Sequence, residues 1–258
     1  MPELPDLEVF SKNLDKEFSG KTLKHVNVKV DSKLNVPVKE LQKQLQGQNL
    51  KKIYREGKEL YFEFSTKDIL SLHLMLKGQL YIFDKKNDHK YTIIELIFGD
   101  GSGLCLTDFQ KAATPKLNPE KPSAPDALSK MVTAKFLKEA LQKKIPIKKI
   151  LMDQHVIRGI GNAYADEILW EAGISPFSTS NKIPTEKINI LVQSIKSVLK
   201  NAEKEIIKKE PGKISGEIRD FLVIHNSRKT HSPGGSPILI KDLASRKTYY
   251  TNEQELFK

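Results

Sequence analysis

Residues 151–167 read Leu-Met-Asp-Gln-His-Val-Ile-Arg-Gly-Ile-Gly-Asn-Ala-Tyr-Ala-Asp-Glu. Gly159 and Gly161 flank Ile160 just before Asn162, after which Ala163, Tyr164, Ala165 and Glu167 resume a helical composition. Paired glycines allow a tight turn. Backbone N–H groups at the start of the following helix can face a phosphate, and the Asn162 amide adds a side-chain donor. The same residues also suit a plain connection in which the turn caps the second helix. The glycines alone do not choose between the two.

Helical spacing continues on both sides. Phe136, Leu137, Ala140 and Leu141 come before it, then Ile147, Ile150 and Leu151; after it, Ile188, Leu191, Val192, Ile195, Val198, Leu199 and Ala202 share one stripe. That stripe and Trp170 are expected in a core, and the lysines at 143, 144, 148 and 149 on a solvated surface. A helical domain is therefore predicted over 131–210. Before it, Ala113-Thr-Pro-Lys-Leu-Asn-Pro-Glu-Lys-Pro-Ser-Ala-Pro opens a stretch, 113–130, that reads as an interdomain linker.

The first 112 residues have another period. Val26, Val28 and Val30 alternate, as do Leu60, Phe62 and Phe64, and 71–82, 91–98 and 103–107 are further strand candidates. Only the start differs: Leu7, Phe10, Leu14 and Phe18 recur at helical spacing, giving a helix over 5–18 closed by Gly20. Gly57-Lys58 stands at a strand entrance, where Lys58 is a turn-edge cation. At the other end, 211–258 holds a turn cluster, His231-Ser-Pro-Gly-Gly-Ser-Pro237. Ile238-Leu-Ile240, a polar connector over 241–247 and Thr248-Tyr-Tyr-Thr251 follow, which is a hairpin signature with Arg246 near its turn.

Composition narrows the function classes. A 258-residue chain can bury a full core, and its formal net charge of +11 favours a polyanionic partner. Lysine supplies most of that charge, since the arginines are only Arg55, Arg158, Arg219, Arg228 and Arg246. No run approaches ~18 apolar residues and no targeting signal is seen, so a membrane role is not expected and a cytoplasmic, nucleoid-associated location is. The lone Cys105 reads as a small buried hydrophobe. His25, His89, His155 and His225 lack ligand spacing and are read as structural.

The N-terminus carries the most suggestive chemistry. Met1-Pro2-Glu3-Leu4-Pro5 places a proline where removal of Met1 would leave a secondary amine. An α-amino group titrates near ~8, about two units below lysine, so a useful fraction is free base at neutral pH. Its condensation with an aldehyde gives an iminium, an electron sink for breaking neighbouring bonds. Glu3 beside it could move the protons. Taken alone, the stretch is also an ordinary helix start, with proline in the first turn and acidic residues after it.

Together these pieces resemble the formamidopyrimidine-DNA glycosylase and endonuclease VIII family. Pro2-Glu3-Leu4-Pro5 is similar to its N-terminal signature, with Asp6 where Glu is usual. His73-Leu-Met-Leu-Lys-Gly78 looks like its strand motif, and 151–167 continued by Ala172-Gly-Ile-Ser-Pro176 is similar to its helix–two-turns–helix element. The resemblance implies an α+β protein: an N-terminal β-sandwich with a flanking helix over 1–112, then a C-terminal helical domain and a β-hairpin finger. It implies DNA held in a basic cleft between the two.

The implied activity is a bifunctional DNA glycosylase/AP lyase acting on damaged double-stranded DNA, as a monomer, without a cofactor. Pro2 would attack C1′, Glu3 would shuttle protons, and Lys58, Asn162 and Arg246 would hold phosphates. His73 and Gly161 would lie on the DNA face, and the damaged base would be flipped out. Two other readings stand beside it: a damage-binding protein without efficient excision, and a lyase acting mainly on abasic sites.

Departures from the family pattern carry expectations of their own. The positions of the family's four zinc cysteines hold His231, Gly234, Thr251 and Gln254, so a finger without metal is expected. Packing of Ile238, Ile240, Tyr249 and Tyr250 would hold it instead. Where relatives fill the hole left by the flipped base, this chain has Leu76, which can still wedge, and Gln110 and Ala112, poor substitutes. The shortness of 214–226 favours oxidised pyrimidines or ring-opened purines as substrates.

Overall fold

The computed structural model describes residues 1–258, which divide into two compact units: 1–121 with 206–217, and 122–205 with 218–258. The first unit opens with α1 (Leu4–Phe18), whose Leu7, Phe10, Leu14 and Phe18 are buried on one face, as their spacing predicts. Its remaining elements are β1 (Leu23–Val28), α2 (Val38–Leu45), β2 (Leu50–Glu56), β3 (Glu59–Phe64), β4 (Ile69–His73), β5 (Gln79–Asp84), β6 (Thr92–Phe98), β7 (Ser102–Thr107) and β8 (Thr114–Leu117). The strands form two four-stranded antiparallel sheets, in the orders β1-β6-β7-β5 and β2-β3-β4-β8. Their inward leucines, isoleucines and phenylalanines make one core with α1, in which Phe18 stacks on Phe98 at 4.7 Å between ring centroids.

Two expectations for this unit are corrected. The segment 71–82 is two strands rather than one, because the chain leaves the second sheet at His73 and joins the first at Gln79. Gly78 makes the crossing possible, since a Cβ there would sit 2.2 Å from the Leu74 carbonyl oxygen. The linker expected at 113–130 is also much shorter. Thr114–Leu117 pairs with β4, and Pro115 is tolerated because β8 is an edge strand. Residues 124–127 fold onto the second unit, where Arg158 Nε donates to the Ala124 carbonyl at 2.8 Å and Ala127 N–H to the Arg158 carbonyl at 2.9 Å.

The second unit contains α3 (Ala134–Ala140), capped by Thr133, then α4 (Ile147–Met152), α5 (Asn162–Glu171) and α6 (Thr185–Lys209), whose last residues group with the first unit. A hairpin of β9 (Leu239–Leu243) and β10 (Arg246–Tyr250) follows. The polar connector expected over 241–247 shrinks to Ala244 and Ser245, both at positive φ (53° and 59°), the two-residue turn that suits strand twist. The expected segment 211–258 is likewise divided, with 211–217 on the first unit and the remainder on the second.

Candidate active site and nucleic-acid interface

In the first unit α1 is fastened along β2 by three polar contacts. Ser19 Oγ donates to the Lys51 carbonyl at 2.7 Å, Asp15 Oδ1 accepts Ile53 N–H at 2.6 Å, and Arg55 Nε pairs with Glu8 Oε2 at 2.9 Å. As the helix number falls the strand number rises, so the two run antiparallel. The start of α1 therefore points towards the turn that ends β2. That turn is Gly57-Lys58, closed by the Glu56–Glu59 pair, with Gly57 at φ 60°, a conformation that favours glycine. Arg55 Nη1 also donates to the Gly57 carbonyl at 3.4 Å, so one buried guanidinium links the helix to the Lys58 turn.

Pro2 and Glu3 lie at that helix start, both buried. Glu3 is the N-cap: its side chain accepts Asp6 N–H, and Asp6 Oδ2 accepts Glu3 N–H at 2.8 Å, a reciprocal capping box. Asp6 thus serves where the family has Glu. The Met1 amino group pairs with Glu217, so with Met1 attached the Pro2 nitrogen is an amide without a nucleophilic lone pair.

His73 lies opposite Glu59, one residue from Lys58, in the β3–β4 register. Burial lowers its imidazole below the ordinary histidine value; Glu59 opposes this, while Lys58 and Lys116 reinforce it. Its Nδ1 accepts Met75 N–H at 3.0 Å, and Gly78 N–H closes on the Leu74 carbonyl at 2.8 Å. Together these bonds hold the 74–78 turn that exposes Leu76. The first unit therefore gathers Pro2, Glu3, Lys58, His73 and Leu76 around the start of α1 and the neighbouring ends of β2, β3 and β4. Gln110 and Ala112 donate their backbone N–H groups to buried Asp108.

In the second unit the Gly159–Gly161 stretch is shaped by Gln154. Its amide donates to the Met152 and Ile160 carbonyls at 2.8 and 2.9 Å, and its Oε1 accepts Gly159 N–H at 2.9 Å. Gly161 is the N-cap of α5 and Asn162 its first residue. Asn162 Nδ2 donates to the Lys247 carbonyl at 3.0 Å, while its Oδ1 is buried without a hydrogen-bond partner. This places Asn162 beside the hairpin turn that exposes Arg246.

A buried ionic cluster behind them was missed by sequence reasoning. Lys148 was expected on the surface, yet it is 1 % exposed, because its Nζ reaches Asp166 Oδ1 at 2.6 Å and Thr248 Oγ1 at 2.8 Å. Asp166 Oδ2 also meets His225 Nδ1 at 2.7 Å and accepts Tyr249 N–H at 3.0 Å. Adjacent Glu167 accepts the N–H groups of Val223, Ile224 and His225 at 2.7, 2.8 and 2.7 Å. Burial raises its pKa, with those three N–H groups and His225 pulling the other way. One face of α5 thus fastens α4, residues 223–225 and β10, and so sets Arg246 relative to Asn162.

The packing expected of the finger is present at Tyr249 and Tyr250 and absent at Ile240. Ile240 is 55 % exposed, Tyr249 is buried against His225, and Tyr250 meets the edge of Phe177. At the metal-ligand positions, Gln254 accepts Thr251 N–H at 2.9 Å and donates to the Ile174 carbonyl at 2.8 Å, so both side-chain ends are engaged. The Glu253 carboxylate, held below its ordinary pKa by Ser232 first and then Thr251, stands over Gly234. With one imidazole among the four positions, these residues do not fit a tetrahedral zinc ion.

Comparison with known proteins gives a consistent answer. Residues 1–114 match the model of the formamidopyrimidine-DNA glycosylase N-terminal domain, and 123–210 that of the formamidopyrimidine-DNA glycosylase H2TH domain. The chain is 31 % identical to a formamidopyrimidine-DNA glycosylase of Lactobacillus gasseri over 80 % of its own length and 78 % of the relative's. It is 30 % identical to one of Arabidopsis thaliana, over 100 % of this chain and 72 % of that one. Among solved structures it resembles Lactococcus lactis Fpg complexed with DNA containing N7-benzyl-Fapy-dG, with TM-score 0.86, 26 % identity, and 96 % and 97 % of the two chains covered.

Proposed function

Because the chain belongs to the formamidopyrimidine-DNA glycosylase family, we propose that Pro2 is the nucleophile of its glycosylase/AP lyase reaction and that Glu3 moves the protons. The protein is a DNA glycosylase of base excision repair with AP lyase activity, and its partner is DNA. After Met1 is removed, the Pro2 amine attacks C1′ of the damaged nucleotide and the base departs with a proton. The sugar ring then opens as the C1′–O4′ bond breaks and Glu3 gives O4′ a proton, and the resulting iminium acidifies the C2′ proton. Removal of that proton expels the 3′ phosphate, and a second elimination releases the 5′ phosphate.

The observation that carries this assignment is the fastening of α1 along β2, which directs Pro2 and Glu3 towards the Lys58 turn. Lys58, Asn162 and Arg246 grip phosphates around the lesion; His73 and Gly161 shape the turns beside them, and Leu76 supports the stack. The finger works without metal, through Glu253, Thr251 and Gln254. The protein acts as a monomer on the chromosome in the cytoplasm; no helix is long and apolar enough to cross a membrane.

Oxidised pyrimidines and ring-opened purines are the substrates this reading assigns. Labelled duplexes carrying thymine glycol, a formamidopyrimidine, 8-oxoguanine or an abasic site test it. The expected result is strand cleavage leaving phosphate at both gap ends, strong for all but 8-oxoguanine. Intact strands on every duplex would overturn it.

A further inference from the structure

The amino end of the chain meets a carboxylate from far along the sequence. The Met1 amino group pairs with Glu217, their side chains 27 % and 32 % exposed. Glu217 ends the segment 210–217 that follows α6, and three contacts fix that segment to the first unit. Asn13 Nδ2 of α1 donates to the Lys213 carbonyl at 2.7 Å, Ile214 packs against the core, and Ser215 Oγ accepts Leu80 N–H of β5 at 3.0 Å. Gly216, at φ 74°, then turns the chain so that Glu217 reaches Met1.

Standard bond lengths put consecutive backbone nitrogens roughly 3 Å apart. Removal of Met1 moves the terminal charge by about that distance onto Pro2, within a side-chain rotation of Glu217. Other charged groups gather at the start of α1 in this unit. Glu3 and Asp6 form the cap, while Lys58 and His73 stand on the β2–β3 turn and on β4. Lys213 Nζ, on Glu217's own segment, is held by Glu210 at 2.8 Å.

A secondary ammonium carries two protons on nitrogen, and the iminium carries none. One must leave to free the lone pair that attacks C1′. The other must leave the adduct so that nitrogen can form the C1′ double bond as the C1′–O4′ bond breaks. In the same two steps the departing base and O4′ each take up a proton. An acid and a base are needed at one time, and a single carboxylate is not both. Glu3, buried at the cap, serves as the acid.

We propose that Glu217 is the base that takes the protons from the Pro2 nitrogen. Partly exposed, it passes each to water, and water returns them to Glu3, so the two lost by nitrogen equal the two gained by the base and O4′. This inference deepens the glycosylase reading above and rests on it.

The test follows borohydride trapping on a duplex with a pre-formed abasic site, in single turnover from about pH 5 to about pH 9, a range that spans the ordinary α-amino value. Mature wild type is compared with Glu217→Gln and Glu217→Asp. Loss of a positioned base should lower the plateau rate of Glu217→Gln on the order of a hundredfold, with duplex affinity and melting temperature unchanged. Its acid limb should also move to lower pH, because a carboxylate beside an ammonium favours the charged form and its removal lowers the amine's pKa. Glu217→Asp should keep the wild-type limb at an intermediate rate. A Glu217→Gln variant with the wild-type rate and limb would overturn the proposal. So would one that is slower only because it binds the duplex or folds less well, with its limb in place. If wild type traps at no pH, the assignment of Pro2 as nucleophile fails instead.

Discussion

His73 holds the Leu76 turn through a nitrogen lone pair, so that turn depends on a neutral ring. Burial lowers the imidazole pKa in the folded protein relative to the unfolded chain. The folded state then binds fewer protons, and the stability from the Met75 N–H bond is full above the unfolded value of ~6.5 and lost as pH falls through the lower folded value. A His73→Gln variant offers an amide oxygen that does not titrate in this range. Thermal melts from pH 8 down to pH 5 should show wild type losing more stability than the variant. Parallel curves would contradict this account of the turn. At this scale the sequence was legible in placement: it put Pro2 and Glu3 at a helix start and Lys58 in a turn at a strand entrance, where the structure has them. Arg55 and Glu8 escaped because they lie 47 positions apart and only the docking of α1 on β2 brings them together.

Lys148, Asp166 and His225 tie three elements of the second unit into one block, and their loss should be felt in the hairpin. Replacing Lys148 by Ala leaves Asp166 buried at 0 % exposure without its cation, a class of change that costs ~3–5 kcal/mol. Urea unfolding should report a loss of that order, and DNA affinity should fall with it as the Arg246 turn loosens. The double change Lys148→Met with Asp166→Leu removes both charges and should recover part of the stability. A Lys148→Ala variant as stable as wild type would contradict the clamp. A signal for it was present in the sequence: Asp166 and Glu167 interrupt the apolar run of 163–170, and adjacent acids there call for buried partners. The β9–β10 hairpin was legible as a hairpin, but its five-residue strands do not alternate in burial, so its turn was placed too broadly. The 71–82 run failed for the opposite reason: both strands are apolar, and the crossing between sheets leaves only Met75 at positive φ and Gly78 to mark it.

For the whole molecule, the charge of +11 states the partner class, and the lysine-rich supply states how it is gripped. Lysine meets phosphate as a point charge, so binding should track counterion release and carry little sequence preference. With about six phosphates neutralised, the slope of log affinity against log salt should be about −5, a loss of roughly a thousandfold from ~50 to ~200 mM salt. Fluorescence anisotropy on lesion duplexes of two unrelated sequences measures it, and a flat salt response would contradict the electrostatic account. The division into a sheet-rich and a helical unit was readable from the change of period. The linker was overdrawn because proline-rich composition marks an edge strand as readily as a tether. The central claim is the amine at Pro2, and borohydride trapping on an abasic duplex tests it most directly, comparing the mature chain with one whose uncleaved N-terminal extension keeps Pro2 as an amide. The account predicts a covalent band for the mature chain alone, with the DNA mapped by peptide analysis to Pro2; an equal band from the extended chain, or a cross-link on Lys58, would contradict it.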